Sequence, residues 1–305
     1  MKIVPLCDKT GRPAREDLIG SRPLRETLPL GDGYEAGLFI HRAPDPRGLP
    51  VVYLHGVQSH PAWFFASAAA VARSGRDVYQ PTRRGSGAGP EPRGDAPSAR
   101  QLLADVAAAC AVARDRSQAP AVHLAGVSWG GKLAAAFVAT CAQREPVASL
   151  TLVAPGIVPR VDASTATKLG VAACLLVCPR RRFAIPLNDP ALFTDNEPMR
   201  AYLRADQYRL HRATARFLYV SRRLDRFLAH AADGAIRTPT TLILARRDRI
   251  IDNAATRTAM DRLTDGRAAT VELDGAHTLE FEPDPTPLCD ALVAALRHGE
   301  NAGGV

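Results

Sequence analysis

The sequence predicts an α/β fold in which a mostly parallel central sheet is flanked by helices, with a helical cap inserted after the sixth strand. Three observations lead there. From about residue 36 to the end, short apolar runs alternate with helically spaced ones, the rhythm of parallel strands joined by crossover helices. That rhythm breaks after Ala154 and resumes at Thr240, leaving residues 155–239 helical and irregular. Finally, 305 residues of which 46% are hydrophobic suffice for one large domain with a well-buried core. The same composition excludes disorder, collagen and coiled coil.

In chain order, residues 1–30 read as a polar leader, 31–155 as the first part of the core, 156–238 as the cap and 239–305 as the second part of the core. Segments 35–41 and 50–55 read as strands, separated by the turn-forming APDPRGLP. A helix is expected at 63–74, a short strand at 78–80 and a Gly/Pro-rich loop at 81–97. Segment 98–114 spaces Leu102, Val106, Cys110 and Ala113 as one helix face, with Ser98 as its N-cap. A strand at 121–125, a helix at 129–143 and a strand at 148–154 complete the first part. After the cap, TTLILA at 240–245 is a strand, 254–263 a helix, 269–273 a strand and 286–297 a terminal helix.

The charge balance, 39 Lys+Arg against 31 Asp+Glu for a net +8, would permit an anionic partner. Only four of these bases are lysines (Lys2, Lys9, Lys132, Lys168), and most arginines are interspersed with acids. This pattern reads as compositional bias, and no nucleic-acid partner is expected. The six cysteines are scattered without a CxxC pair, as in a reduced, cytoplasmic protein. The apolar run before Cys7 is too short for a signal or lipoprotein segment, and no stretch is long enough to span a membrane.

The sharpest chemical signal is Gly126-Val127-Ser128-Trp129-Gly130, a G-x-S-x-G between a predicted strand and a predicted helix. Such a turn holds a serine in a strained conformation with its hydroxyl exposed, while the glycines let neighbouring backbones approach. A serine hydroxyl is a poor nucleophile at neutral pH, so it needs a base and an acid that orients the base, here in the order Ser, acid, His. Of the histidines after Ser128, His211 and His230 fall in the cap and His298 near the C-terminus, which leaves His277 as the base. Asp248 and Asp252 compete for the acid. Asp248 stands where the loop after TTLILA begins and is preferred, whereas Asp252 is better placed to cap the next helix. An oxyanion needs two backbone donors, expected from Trp129 N–H and from Val57 N–H in the loop after the strand ending His55-Gly56; His55 itself reads as a loop brace. The Arg84-Gly85-Ser86-Gly87-Ala88-Gly89 run lacks the following helix that a phosphate loop requires. Cys174 and Cys178 share a helix face without further metal ligands nearby.

With Ser128, Asp248 and His277 placed, the chain resembles the α/β-hydrolase superfamily, and within it the monoacylglycerol lipase and lysophospholipase-like serine hydrolases. HGVQSH resembles that family's oxyanion loop, and PTRRGSGAG stands in place of its Asp-x-x-Gly-x-Gly-x-Ser loop, without the Asp common there. The resemblance implies a carboxylic ester hydrolase without cofactor or metal, acting on a small-molecule acyl ester. It also implies a cap over an acyl pocket, to which Leu169, Leu175 and Leu176 of the apolar run LGVAACLLVC would contribute. Flanked by Lys168 and Arg180 to Arg182, that run could instead touch a lipid surface. The rival readings are acyl transfer, peptide hydrolysis or cofactor-free haloperoxidase chemistry on the same fold, and a non-catalytic binding module.

Overall fold

The structure, a computed structural model, describes residues 22–90, 92–141 and 145–303. Cys7 and most of the expected leader lie outside the described residues, as does the expected end of the helix at 129–143. Among the described residues ten strands occur in chain order: β1 (Leu24–Pro29), β2 (Glu35–His41), β3 (Val51–Leu54), β4 (Val78–Pro81), β5 (Val122–Val127), β6 (Val147–Val153), β7 (Arg182–Ala184), β8 (Arg212–Thr214), β9 (Thr240–Ala245) and β10 (Ala269–Leu273). Eight of them form one sheet in the order β1-β2-β4-β3-β5-β6-β9-β10. From β4 to β10 all neighbours are parallel, while β2 runs antiparallel to both β1 and β4. Strands β3, β4, β5 and β9 are buried along their whole length, as parallel strands covered on both faces must be, and this explains their continuous apolar runs.

Eight α-helices accompany the described strands: α1 (Phe65–Arg73), α2 (Ala99–Arg116), α3 (Trp129–Cys141), α4 (Thr165–Val177), α5 (Glu197–Ala205), α6 (Ala215–His230), α7 (Asn253–Thr264) and α8 (Thr286–Gly303). Helices α1 and α8 pack on one another, as do α2 and α3. Ser98 caps α2 by accepting the Gln101 N–H, and Asp252 caps α7 by accepting the Ala255 N–H. Both caps sit where short polar side chains precede an apolar-periodic run.

Two features depart from the sequence expectation. Strand β1 lies within the first 30 residues, which read as a leader. It pairs antiparallel with β2 from Leu24↔Ile40 to Pro29↔Glu35, but LRETLP buries only Leu28, so an edge strand leaves almost no apolar alternation to detect. The segment between β6 and β9 also contains strands. Its β7 and β8 form an antiparallel ribbon, and segments of three residues are too short to show a period.

This segment between β6 and β9 comprises α4, the ribbon, α5 and α6, and is fastened to the core chiefly through α6. Helix α6 buries Phe217, Val220, Leu224 and Leu228 at helical spacing and packs on α3. At its start Thr214 Oγ1 donates to Asp95 Oδ1 (2.8 Å), and Arg216 Nε donates to the same oxygen (3.0 Å). No helix among the described residues is long and apolar enough to cross a membrane.

Candidate active site

The loops that leave β3, β4, β5, β9 and β10 all emerge at the carboxyl ends of the parallel strands, the edge where sheets of this kind collect functional groups. Ser128 stands between β5 and α3 with φ of +54°, a left-handed conformation that costs a non-glycine residue about 1–3 kcal/mol. The surrounding backbone enforces it. Ser128 N–H donates to Val153 O (2.9 Å), and Ser128 O accepts from Gly156 N (2.7 Å) and Lys132 N (3.1 Å). The flanking glycines leave no room for side chains: a Cβ on Gly126 would lie 2.5 Å from Gly130 O, and one on Gly130 would lie 2.4 Å from His55 O.

The turn aims Ser128 at His277, which follows β10. Ser128 Oγ is 3.0 Å from His277 Nε2, and His277 Nδ1 is 2.8 Å from Asp248 Oδ2. A carboxylate only accepts, so Nδ1 carries the ring hydrogen and Nε2 is free to accept the Ser128 O–H. The other oxygen of Asp248 accepts from Ile250 N (2.8 Å) and Ile251 N (2.9 Å). Burial raises the Asp248 carboxyl, but the opposing charge of His277 and these hydrogen bonds outweigh it and hold the group below the ordinary carboxylate range. Asp252 is occupied instead as the α7 cap. His277 is 2% exposed; its ring meets Phe193 edge-on at 6.1 Å, and the next N–H, of Thr278, donates to Phe193 O (2.9 Å). Ser128 is half-buried.

The expected oxyanion donors flank the serine. A Cβ on Gly56 would lie 3.7 Å from Ser128 Oγ, which places the His55-Gly56-Val57 loop against the hydroxyl. Trp129 opens α3, where helix N–H groups lack intrahelical acceptors. Among the described residues neither the Val57 nor the Trp129 N–H has an acceptor. His55 is indeed a brace: its Nδ1 lies 2.9 Å from Gly56 O, and its Nε2 accepts the Arg83 N–H at 3.0 Å.

Other placements differ from expectation. Leu169 and Leu176 are 67% and 88% exposed, so they are not walls of a buried pocket, and Leu175 is only half-buried. Helix α4 buries Cys174 alone and brings Gly170 against Phe183 of β7. Because the helix is apolar on every side, periodicity gave no sign of which face packs. Residues that the sequence reading passed over join the site to α6: Trp129 Nε1 donates to Ser221 Oγ (2.8 Å), and Lys132 Nζ reaches Ser221 Oγ (3.1 Å) and Asp225 Oδ1 (2.8 Å). Their sequence signal was a lone lysine in an otherwise apolar helix. Arg84 is paired with Asp105 and Asp32 and is thereby committed within its loop. Among the described residues no group of three or more His, Cys, Asp or Glu is placed to hold a metal ion.

Comparison with known proteins identifies the family and the fold. A family model described as serine aminopeptidase, S33, matches residues 44–284. Among solved structures, a soluble variant of monoglyceride lipase from Saccharomyces cerevisiae, in complex with a substrate analog, superposes with a TM-score of 0.78 at 16% identity, covering 91% of this chain and 96% of that one. The monoacylglycerol lipase of Paleococcus ferrophilus gives 0.71 at 17% identity, covering 91% and 100%. A carboxyl esterase from Bacillus coagulans in complex with glycerol gives 0.72 at 11%, covering 91% and 98%. The architecture shared with these structures is the α/β-hydrolase fold. No match to the sequence was found among curated proteins.

Proposed function

Because the chain belongs to the serine aminopeptidase S33 family of α/β-hydrolases, we propose that it is a serine hydrolase cleaving carboxylic esters of the monoacylglycerol or lysophospholipid kind through an acyl-enzyme on Ser128. The observation that supports this reading best is the unbroken relay from Ser128 Oγ to His277 to Asp248 at 3.0 and 2.8 Å, with the serine in its left-handed turn. Ser128 Oγ attacks the ester carbonyl while its proton passes to His277 Nε2, and Val57 and Trp129 N–H groups receive the oxyanion. The protonated His277, stabilised by Asp248, then gives that proton to the departing alcohol. Water, deprotonated by the same nitrogen, releases the acid and restores the serine. Residues 156–238 serve as the cap over this site.

Hydrolysis of p-nitrophenyl esters from acetate to palmitate tests the proposal. Ser128→Ala is expected to lower kcat by at least about 10³-fold and to abolish fluorophosphonate labelling. Full activity of Ser128→Ala would refute it. Since the family carries an aminopeptidase description, aminoacyl p-nitroanilides belong in the same assay, and their exclusive cleavage would replace the ester reading by a peptidase one.

A second reading concerns how substrate arrives. Leu169, Leu176 and Val177 expose 67%, 88% and 80% of their area on α4, and the exposed Arg180 and Arg181 follow directly. An apolar face edged by bases suits an anionic lipid surface. Sedimentation with vesicles containing phosphatidylglycerol should retain the wild type and lose Leu176→Asp; equal binding of the two would dismiss it.

A further inference from the structure

We propose that Arg83 is a positioning residue for oxyanion stabilisation, holding the peptide that presents the Val57 N–H through both the Val57 carbonyl and the His55 ring. The inference rests on the Ser128 reading above. Where an N–H points is decided by the plane of its peptide, and that plane is fixed by what its neighbouring carbonyls bind. The Val57 N–H belongs to the Gly56–Val57 peptide, whose carbonyl oxygen, Gly56 O, accepts His55 Nδ1–H at 2.9 Å. The next carbonyl, Val57 O, accepts Arg83 Nη2–H at 2.9 Å. In a neutral imidazole only one nitrogen carries a hydrogen, and the Arg83 backbone N–H, donating to Nε2 at 3.0 Å, leaves that hydrogen on Nδ1. Burial, and then the nearby Arg83 charge, keep this imidazole far below its ordinary range and therefore neutral. One anchor is on the Gly56–Val57 peptide itself and traces to the Arg83 backbone N–H; the other is on the carbonyl that follows it and is the Arg83 side chain, which substitution removes. Polarising a carbonyl also strengthens the N–H of the same peptide as a donor, so the clamp acts on the strength of the Val57 donor as well as its aim.

The second donor is within reach of the same side chain. The Arg83 guanidinium lies over the Trp129 ring at 5.1 Å and the Phe217 ring at 4.7 Å, and its Nη1 donates to Arg84 O (3.0 Å). Ring contacts of this kind attract a cation and fix the indole whose backbone N–H is the other oxyanion donor. Unlike Arg84 and Arg216, which face carboxylates, Arg83 makes no ion pair among the described residues. A buried cation without a counter-charge is a poor device for stability. Here it instead touches both elements that carry the expected oxyanion donors, through the Val57 carbonyl and the Trp129 ring.

The test compares wild type, Arg83→Met and Arg83→Lys in ester hydrolysis and in binding of an alkylboronic acid, which forms a tetrahedral adduct on the serine. Misaligning a donor by a fraction of an ångström predicts a fall in kcat of about 100-fold for Arg83→Met with KM changed less than about threefold, and a similar loss of boronic-acid affinity. Arg83→Lys keeps the charge but can serve only one of the two carbonyls, and should recover part of kcat. It also decides the matter if the Met variant does not fold. Unchanged kcat in a folded variant, or a loss confined to KM and the urea midpoint, would overturn the proposal. If the wild type hydrolyses no ester, the functional reading fails on its own, and the clamp is judged by the Val57 amide in ¹⁵N NMR. Faster hydrogen exchange and a shifted resonance in Arg83→Lys support it, and an unmoved resonance overturns it.

Discussion

Asp206 ties the segment between β6 and β9 to the loop that follows β3, and truncating it to alanine tests how much that tie contributes. Its carboxylate is 4% exposed. It accepts from His60 Nε2 (3.0 Å), Trp63 Nε1 (2.7 Å) and Tyr208 N (2.9 Å). Burial raises the carboxyl, yet the His60 charge and these three donors win and keep it below the ordinary carboxylate range. Asp206→Ala would leave three buried donors without their acceptor at about 1–3 kcal/mol each. Two of them share one oxygen and water can enter the space vacated, so the lower end of that range applies. The sum is then about 3 kcal/mol, within the 3–5 kcal/mol of a broken buried pair. For a chain of this size that corresponds to a fall in Tm of about 5 °C. Urea unfolding at pH 7 followed by tryptophan fluorescence reads it well, because the chain has 2 tryptophans and Trp63 is itself a donor to Asp206. Since the folded carboxyl titrates low, its contribution is present above about pH 3.8 and disappears as pH falls through the lower folded value. A loss below about 1 kcal/mol at pH 7, or an undiminished acid sensitivity in the variant, would refute the reasoning.

Two further outcomes follow from the same geometry. A Cβ at Gly130 would lie 2.4 Å from His55 O and 2.5 Å from Leu54 O, backbone atoms of the core sheet edge, so Gly130→Ala should cost about 3 kcal/mol by thermal unfolding. At Gly31, where a Cβ meets nothing within 4 Å, the same change should stay within about 0.5 kcal/mol. Burial depresses His41 to about 4, only partly opposed by its hydrogen bond to Gln80. The unfolded chain then binds the proton first, and stability should fall by about 3 kcal/mol as pH drops from 6.5 to 4. Urea midpoints against pH should lose that contribution in His41→Gln, leaving the shallower slope that other buried histidines such as His55 supply.

What the sequence disclosed depended on how local the signal was. Strands β9 and β10 read correctly to the residue because each is a continuous run between punctuating residues. Ser128, His277 and Asp248 could be paired from motif and chain order, since each follows a recognisable strand. Asp206 and His60, 146 residues apart, carry no such signal, because neither lies in a motif and only the folded chain brings them together. The pair Arg83-Arg84 looked alike in sequence. In the fold one faces two carboxylates and the other two carbonyls and two rings, a distinction set by where each stands in the loop after β4. The leucines of α4 misled for the opposite reason, since a uniformly apolar helix fits a buried or an exposed position equally well.

The uneven fastening of the segment between β6 and β9 has a consequence for time rather than for contacts. Helix α6 is held by Lys132, Trp129 and Asp95, whereas α4 buries one cysteine. Local opening of α4 therefore breaks little, and its amides should exchange with solvent orders of magnitude faster than those of α6. On the proposed ester-hydrolase reading, entry of substrate and departure of product would follow the faster clock, and α6 would keep the surroundings of Ser128 still while they pass.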